Sequence, residues 1–263
     1  VHENYPAEIL NKDWLGPLLV RRIVAAAVGF LEALSSNVFD AIVIVVPDAR
    51  TRFPKRKTVL IQNFPLVDMI DNAPLPEVKK NKLTVIYAGD LTRVRGIKEC
   101  IQAMEYVGDF SELWLLGPWE NDAFRKECES LNGWSHVKYL GLQPLSNTYG
   151  YMRAADIGLA VVMPTNNHLN SQPNKVFEYM ACGKPVILSN FPYWQKLFSK
   201  CALFADPLNP KDIALQIKEL FKDDELRFEL GSEGRKLVEE KFSWETESKK
   251  LIAMYNNLIS SPQ

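Results

Sequence analysis

The stretch LTVIYAGDLTRVRGIKECIQAMEYV, Leu83 to Val107, decides the fold. It opens on the apolar, β-branched run Leu83 to Ala88, turns through Gly89 to Gly96, and then repeats apolar residues at Ile97, Cys100, Ile101 and Met104, the spacing of one helix face. A strand feeding a helix through a glycine turn is half of a βαβ unit. The same alternation recurs downstream as ELWLLG strand, NDAFRKECESL helix, HVKYLG strand, NTYGYMRAA helix, IGLAVVM strand, NKVFEYMAC helix and PVILS strand, followed by further helices. Strand and helix at this pitch imply an α/β fold with a doubly wound parallel sheet. Ligands of such sheets lie beyond the carboxyl ends of the strands. Function is therefore expected in the loops Gly89 to Gly96, Gly117 to Glu120, Gly141 to Pro144 and Pro164 to Asn174.

Toward the start of the chain, Pro17 to Asn37 has the length and spacing of a helix, and AIVIVV (Ala41 to Val46) and Thr58 to Gln62 read as strands. NFPLVDMIDNAPLP, Asn63 to Pro76, has three prolines and no periodicity, which marks a connector. The expected division is 1–68, 69–242 and a terminal helix over 243–263 that packs back toward the first part.

The 263 residues carry 31 Lys and Arg against 32 Asp and Glu, a net charge of −1, so no global positive field argues for nucleic acid. A hydrophobic content of 47% excludes a disordered chain. Cys100, Cys128, Cys182 and Cys201 have no metal-binding spacing and read as reduced thiols of a cytosolic protein. No metal cluster is visible. Arg21, Arg22, Gly16, Pro17 and Gly29 interrupt the longest apolar run, Leu15 to Leu34, which is too polar to span a membrane. VHENYPAEIL has neither a basic leader nor an initiator methionine, and the expectation is a fragment or a processed chain.

Two motifs carry chemistry. In AGDLTRVRGIKE, the glycine turn feeds a helix N-terminus, whose free N–H groups and dipole favour a phosphate, and Arg95 adds a charge. The alternative is a plain turn with a solvated arginine. In NSQPNKVFEYMACGKPVILSN, Ser171, Gln172, Pro173 and Asn174 offer cap residues before a helix carrying Lys175 and Glu178. That N-terminus with its lysine suits a diphosphate, and a carboxylate one turn in suits a ribose diol. The alternative is a surface Lys–Glu pair.

The stretch PNKVFEYMACGKPVI resembles the signature of the retaining group 1 glycosyltransferases (family four), which have the two-domain GT-B fold. AGDLTRVRGIKE, HVKYLGLQP, MRAADIGL and KFSWETESKKLIAMY fit the same family in order, from about Leu83 to Leu258. VHENYPAEIL and FDAIVIVVPDAR resemble the second half of its acceptor-binding N-terminal domain, whose first half is absent from this sequence. The resemblance implies a nucleotide-sugar donor held mainly on the C-terminal domain, over 69–242, and a glycan or lipid-linked acceptor. Glu178 then matches the second glutamate of the Glu, seven residues, Glu motif and would hold the donor ribose; the first falls at Asn170. Arg95 would pair with the diphosphate beside Lys175 and the amides near Ser171. Gly89 and Asp90 belong to the same turn, where aspartate replaces a cation common in the family. Gly141, Leu142 and Gln143 match the loop that lines the base.

His2 resembles a histidine that lies near the donor sugar, and its alternative is a frayed terminus; Glu3 and Asn4 share that ambiguity. His136 reads as structural and His168 as an acceptor-side contact. Arg50, Arg52, Lys55, Arg56 and Lys57 form a basic cluster suited to anionic headgroups or to plain solvation, and helix 17–37 with Trp14 suits either a membrane surface or a packed interior. The resulting expectation is sugar transfer with retention in cell-surface polysaccharide synthesis, without metal or cofactor, on the cytoplasmic side and in peripheral contact with the inner membrane face. The rivals are an inactive nucleotide-sugar-binding or partner-binding module and an epimerase of the same fold.

Overall fold

The computed structural model describes residues 5–10, 12–45, 51–169 and 171–260. His2, Glu3, Asn4, Arg50 and Asn170 lie outside them. The chain divides into two compact units, one from Val1–Phe64 with Trp244–Gln263 and one from Pro65–Ser243.

The larger unit holds six parallel strands: β3 (Leu83–Ala88), β4 (Ser111–Leu116), β5 (Val137–Gly141), β6 (Ile157–Ala160), β7 (Val186–Ser189) and β8 (Ala202–Ala205). Their order is β5-β4-β3-β6-β7-β8, numbering the smaller unit's strands first in the chain. β6 and β7 are buried along their whole length, as a parallel sheet covered on both faces requires. The covering helices are α4 (Ile97–Ala103), α5 (Asp122–Glu129), α6 (Leu145–Ala154), α8 (Asn174–Ala181), α9 (Pro192–Phe198), α10 (Pro210–Lys222) and α11 (Asp224–Lys241), with short α3 (Val67–Asp71) and α7 (Asn166–Leu169). Val85, Leu113, Ile157, Ile187 and Ile217 belong to one apolar core with no more than trace exposure.

The chain steps outward from β3 to β4 and β5, then returns to place β6 on the other side of β3. β3 and β6 thus flank the reversal of winding, where a crevice opens at the strands' carboxyl ends.

Four expectations about elements need correction. IGLAVVM is a strand only over Ile157–Ala160, because the Val162 N–H bonds to Ser189 Oγ at 2.8 Å instead of joining a ladder. The alternation does not end at PVILS, since Ala202–Ala205 adds β8 beside β7. The connector contains α3, fixed by Arg235, whose guanidinium makes two bonds to the Asp71 carboxylate at 2.7 and 2.8 Å. Its later part is held against α6, where Arg153 donates to the Ala73 carbonyl at 2.5 Å. His136 closes a 3-10 turn before β5, and its ring fills the space beside Gly108.

The smaller unit contains α1 (Tyr5–Leu10), α2 (Leu18–Val38), a parallel pair β1 (Ile42–Ile44) and β2 (Thr58–Leu60), and α12 (Trp244–Ser260). Glu247 of α12 is buried and accepts from the Gln62 amide at 3.1 Å. α2 turns its apolar stripe outward: Leu19, Ile23, Phe30 and Leu34 are 56 to 69% exposed. Arg21 is bonded to Asp13 at 2.6 Å, and Glu32, the helix's one acidic residue, is paired with Arg52. Among the described residues no helix is long and apolar enough to cross a membrane. Cys100, Cys128 and Cys201 are buried, Cys182 is partly buried, and all four are free thiols.

Candidate functional site

A cavity of about 600 Å³ opens at the carboxyl ends of β3 and β6. Tyr87, Gly89, Asp90 and Arg95 line it from the β3 side, Ala160 and Val162 from β6, His168 from α7, and Ser171, Gln172, Pro173, Asn174 and Lys175 from the start of α8. The turn after β3 is braced on its outer side. The Gly89 amide bonds to the Leu116 carbonyl at 2.8 Å, and Leu91 and Trp119 form an isolated parallel bridge. Arg93 is drawn away from the cavity by Glu127 at 2.5 Å, which leaves Arg95 as the cation of that turn on the cavity wall.

α8 is anchored by what it buries. The Tyr179 ring occupies the space a side chain at Gly158 would need, and its hydroxyl accepts from the Ala88 amide at 3.0 Å. This fixes the helix start against the end of β3. One helical turn earlier, the Lys175 side chain crosses Gly89, whose φ of +145° and missing Cβ make room for it. Pro173 takes the N-cap position, and no side chain caps the helix. The expected caps are therefore corrected. Ser171 Oγ donates instead to the His168 carbonyl at 3.2 Å, and the Gln172 amide donates to Tyr193 Oη at 2.8 Å.

Burial lowers the Lys175 pKa, and Arg95 lowers it further, against the opposing pull of Glu178 and Asp90. No ion pair within the described residues joins either cation to a carboxylate. Burial raises the Glu178 pKa, opposed by Lys175 and by a hydrogen bond donated by the Tyr149 hydroxyl. Lys175 and Glu178 are thus partly buried groups and not a solvated surface pair. A desolvated lysine and a neighbouring arginine beside an uncapped helix start can neutralise a polyanion.

The cavity gathers Gly89, Asp90, Arg95, Ser171, Gln172, Asn174 and Lys175. Asp90 lies exposed at its edge. Gly141 and Leu142 are not among its lining residues; Leu142 is 76% exposed, and the Gly141 carbonyl accepts from the Gly117 amide at 2.9 Å. Glu178 stands one turn beyond the lining. His168 lines this cavity, and Tyr149, the partner of Glu178, has no signal in the sequence. Among the described residues no three His, Cys, Asp or Glu side chains cluster as a metal-binding set.

A parallel sheet of this winding, with a crevice at its switch point, defines a doubly wound α/β domain. The profile described as "Glycosyl transferases group 1" matches residues 70–237, and the chain belongs to that family, with the GT-B type of fold. It is 31% identical over 165 residues to an uncharacterised glycosyltransferase of Methanocaldococcus jannaschii, covering 61% of this chain and 44% of that one. Over 204 residues it is 26% identical to the capsular polysaccharide biosynthesis glycosyltransferase CapM of Staphylococcus aureus, covering 74% and 52%. Among solved structures, Anabaena HepE in complex with UDP and glucose superposes with a TM-score of 0.66 at 16% identity, covering 89% of this chain and 67% of that one. The chain spans about half the length of the curated relatives it matches.

Proposed function

We propose that this chain carries the donor site of a glycosyltransferase that moves a sugar from a nucleoside-diphosphate sugar to a glycan or lipid-linked acceptor, with retention at the anomeric carbon, in cell-surface polysaccharide synthesis. The observation that carries the reading is the crevice at the β3–β6 switch point, with Lys175 and Arg95 beside the uncapped start of α8. Family membership and the named role of CapM support it.

Glycosyl transfer requires stabilisation of the departing diphosphate, so donors fixed at its oxygens lower the barrier. In this reading Lys175, Arg95 and the α8 amides hold the diphosphate. Glu178, oriented by Tyr149, accepts from the ribose hydroxyls. The outward apolar face of α2, with exposed Arg22, Lys55 and Arg56 in the same unit, supports docking at a membrane surface on the cytoplasmic side during synthesis.

Incubation with UDP- and GDP-sugars and a lipid-linked sugar acceptor, read by NMR at the new anomeric carbon, tests the reading. It expects the donor's configuration in the product; inversion rules out the retaining assignment. The rival reading is a donor-binding module without turnover. Nucleotide-sugar binding without transfer to any acceptor supports that rival.

A further inference from the structure

Lys175, Arg95 and the first α8 amides give the cavity hydrogen-bond donors suited to a diphosphate, which only accepts, while the Asp90 carboxylate lies exposed at its edge. A hexose attached to that diphosphate brings hydroxyls that also donate, and these need acceptors.

His168, which lines the same cavity, supplies one. Its amide donates to the Thr165 carbonyl at 2.9 Å, and its own carbonyl accepts from the Ser171 amide at 3.3 Å and from Ser171 Oγ at 3.2 Å. Ring Nδ1 stands 3.0 Å from the Met163 carbonyl. A carbonyl can only accept, so Nδ1 carries the proton, and in the neutral ring Nε2 keeps its lone pair. Among the described residues Nε2 has no hydrogen-bond partner, although the residue lines the cavity. Two neighbouring polar side chains are engaged, Ser171 Oγ with His168 and the Gln172 amide with Tyr193. The segment that holds His168 is itself tied to the phosphate-side turn, since the Met163 amide donates to the Val94 carbonyl at 2.9 Å. The acceptor is therefore set at a fixed place relative to the cations.

We propose that His168 is the specificity residue for the transferred sugar, its Nε2 accepting a hydrogen bond from a hexose hydroxyl while Lys175 and Arg95 hold the diphosphate. The proposal rests on the donor-site reading and adds to it which side chain recognises the sugar.

Calorimetric titration of the full chain with UDP, GDP, UDP-N-acetylglucosamine and GDP-mannose tests it in wild type, His168→Asn, His168→Phe and His168→Gln. Asparagine keeps a donor for the Met163 carbonyl but has no group at the Nε2 position. Glutamine restores a polar atom there. The affinity for the sugar nucleotide relative to its free nucleotide should fall about five- to ten-fold in the Asn and Phe variants and recover in Gln, the size expected for one hydrogen bond. Affinity for the free nucleotide should stay unchanged in all three. An unchanged ratio in Asn and Phe overturns the proposal and leaves the donor site standing. Parallel loss of free-nucleotide binding assigns His168 to the diphosphate or to the loop, which also overturns it. A wild-type chain that binds no nucleotide removes the donor-site reading and the proposal together.

Discussion

The Lys175 side chain lies where a Cβ on Gly89 would stand, so the lysine over the cavity and the glycine ending β3 depend on one another. Gly89→Ala has to displace Lys175 and also adopt a φ of +145°, which side chains disfavour. It should cost about 1–3 kcal/mol in urea denaturation, combining strain and lost packing, and weaken nucleotide binding at least as much as Lys175→Met. Gly141→Ala serves as the control. It has positive φ but nothing within 4 Å of the new methyl, and should lose stability without losing nucleotide affinity in calorimetry.

Lys175→Met should stabilise the unliganded protein while abolishing nucleotide binding. The ammonium pKa is lowered in the folded state, so the unfolded chain binds more protons between that lowered value and 10.5. The penalty is full below the folded pKa and fades as pH rises through this window. The stability advantage of the variant at pH 7 should therefore shrink by pH 10, measured by chemical denaturation at both. An advantage that grows with pH contradicts the assigned desolvation.

Glu178 titrates with the opposite sign. Its pKa is raised by burial, so the folded state binds more protons above 4.5, and the cost of the ionised carboxylate appears as pH rises through the folded value. Glu178→Gln should gain stability over wild type at pH 7 relative to pH 4. Tyr149→Phe removes the hydroxyl that opposes this shift and should destabilise the protein by about 1 kcal/mol at pH 7, with less effect in acid.

The Asp71–Arg235 pair joins α3 to α11 inside the larger unit. The hydrogen bond from Arg235 holds the Asp71 carboxyl below its usual range, so its contribution is present above the unfolded pKa and is lost as pH falls through the folded one. Both partners retain solvent contact, and Asp71→Asn should cost only about 0.5–1 kcal/mol near neutrality and less in acid, read from thermal or urea unfolding.

The larger unit was legible wherever one residue type had one physical use. LTVIYA can only be a doubly buried strand, and the glycine turn before Ile97 marks the helix start. β8 escaped because CALFA is short, lacks a clear period, and gains its identity from pairing with β7. The grouping of Arg95 with Lys175 was suggested by motif order, but the burial of Lys175 was not, because it arises where α8 packs on β3 through Tyr179 and Gly158. The cap assignments failed because Pro173 occupies the N-cap and diverts Ser171 to His168. No local pattern links Tyr149 to Glu178; tertiary packing brings them together.

The most direct measurement is calorimetric titration of UDP and GDP into wild type, Lys175→Met and Arg95→Ala at low salt. Occupancy of the switch-point cavity by a diphosphate predicts binding of at least one nucleotide by wild type, loss in Lys175→Met, and a roughly ten-fold or greater weakening in Arg95→Ala, the scale of a lost charge-assisted hydrogen bond. Nucleotide binding that survives both substitutions at full affinity would contradict the account, because the diphosphate would then lie elsewhere.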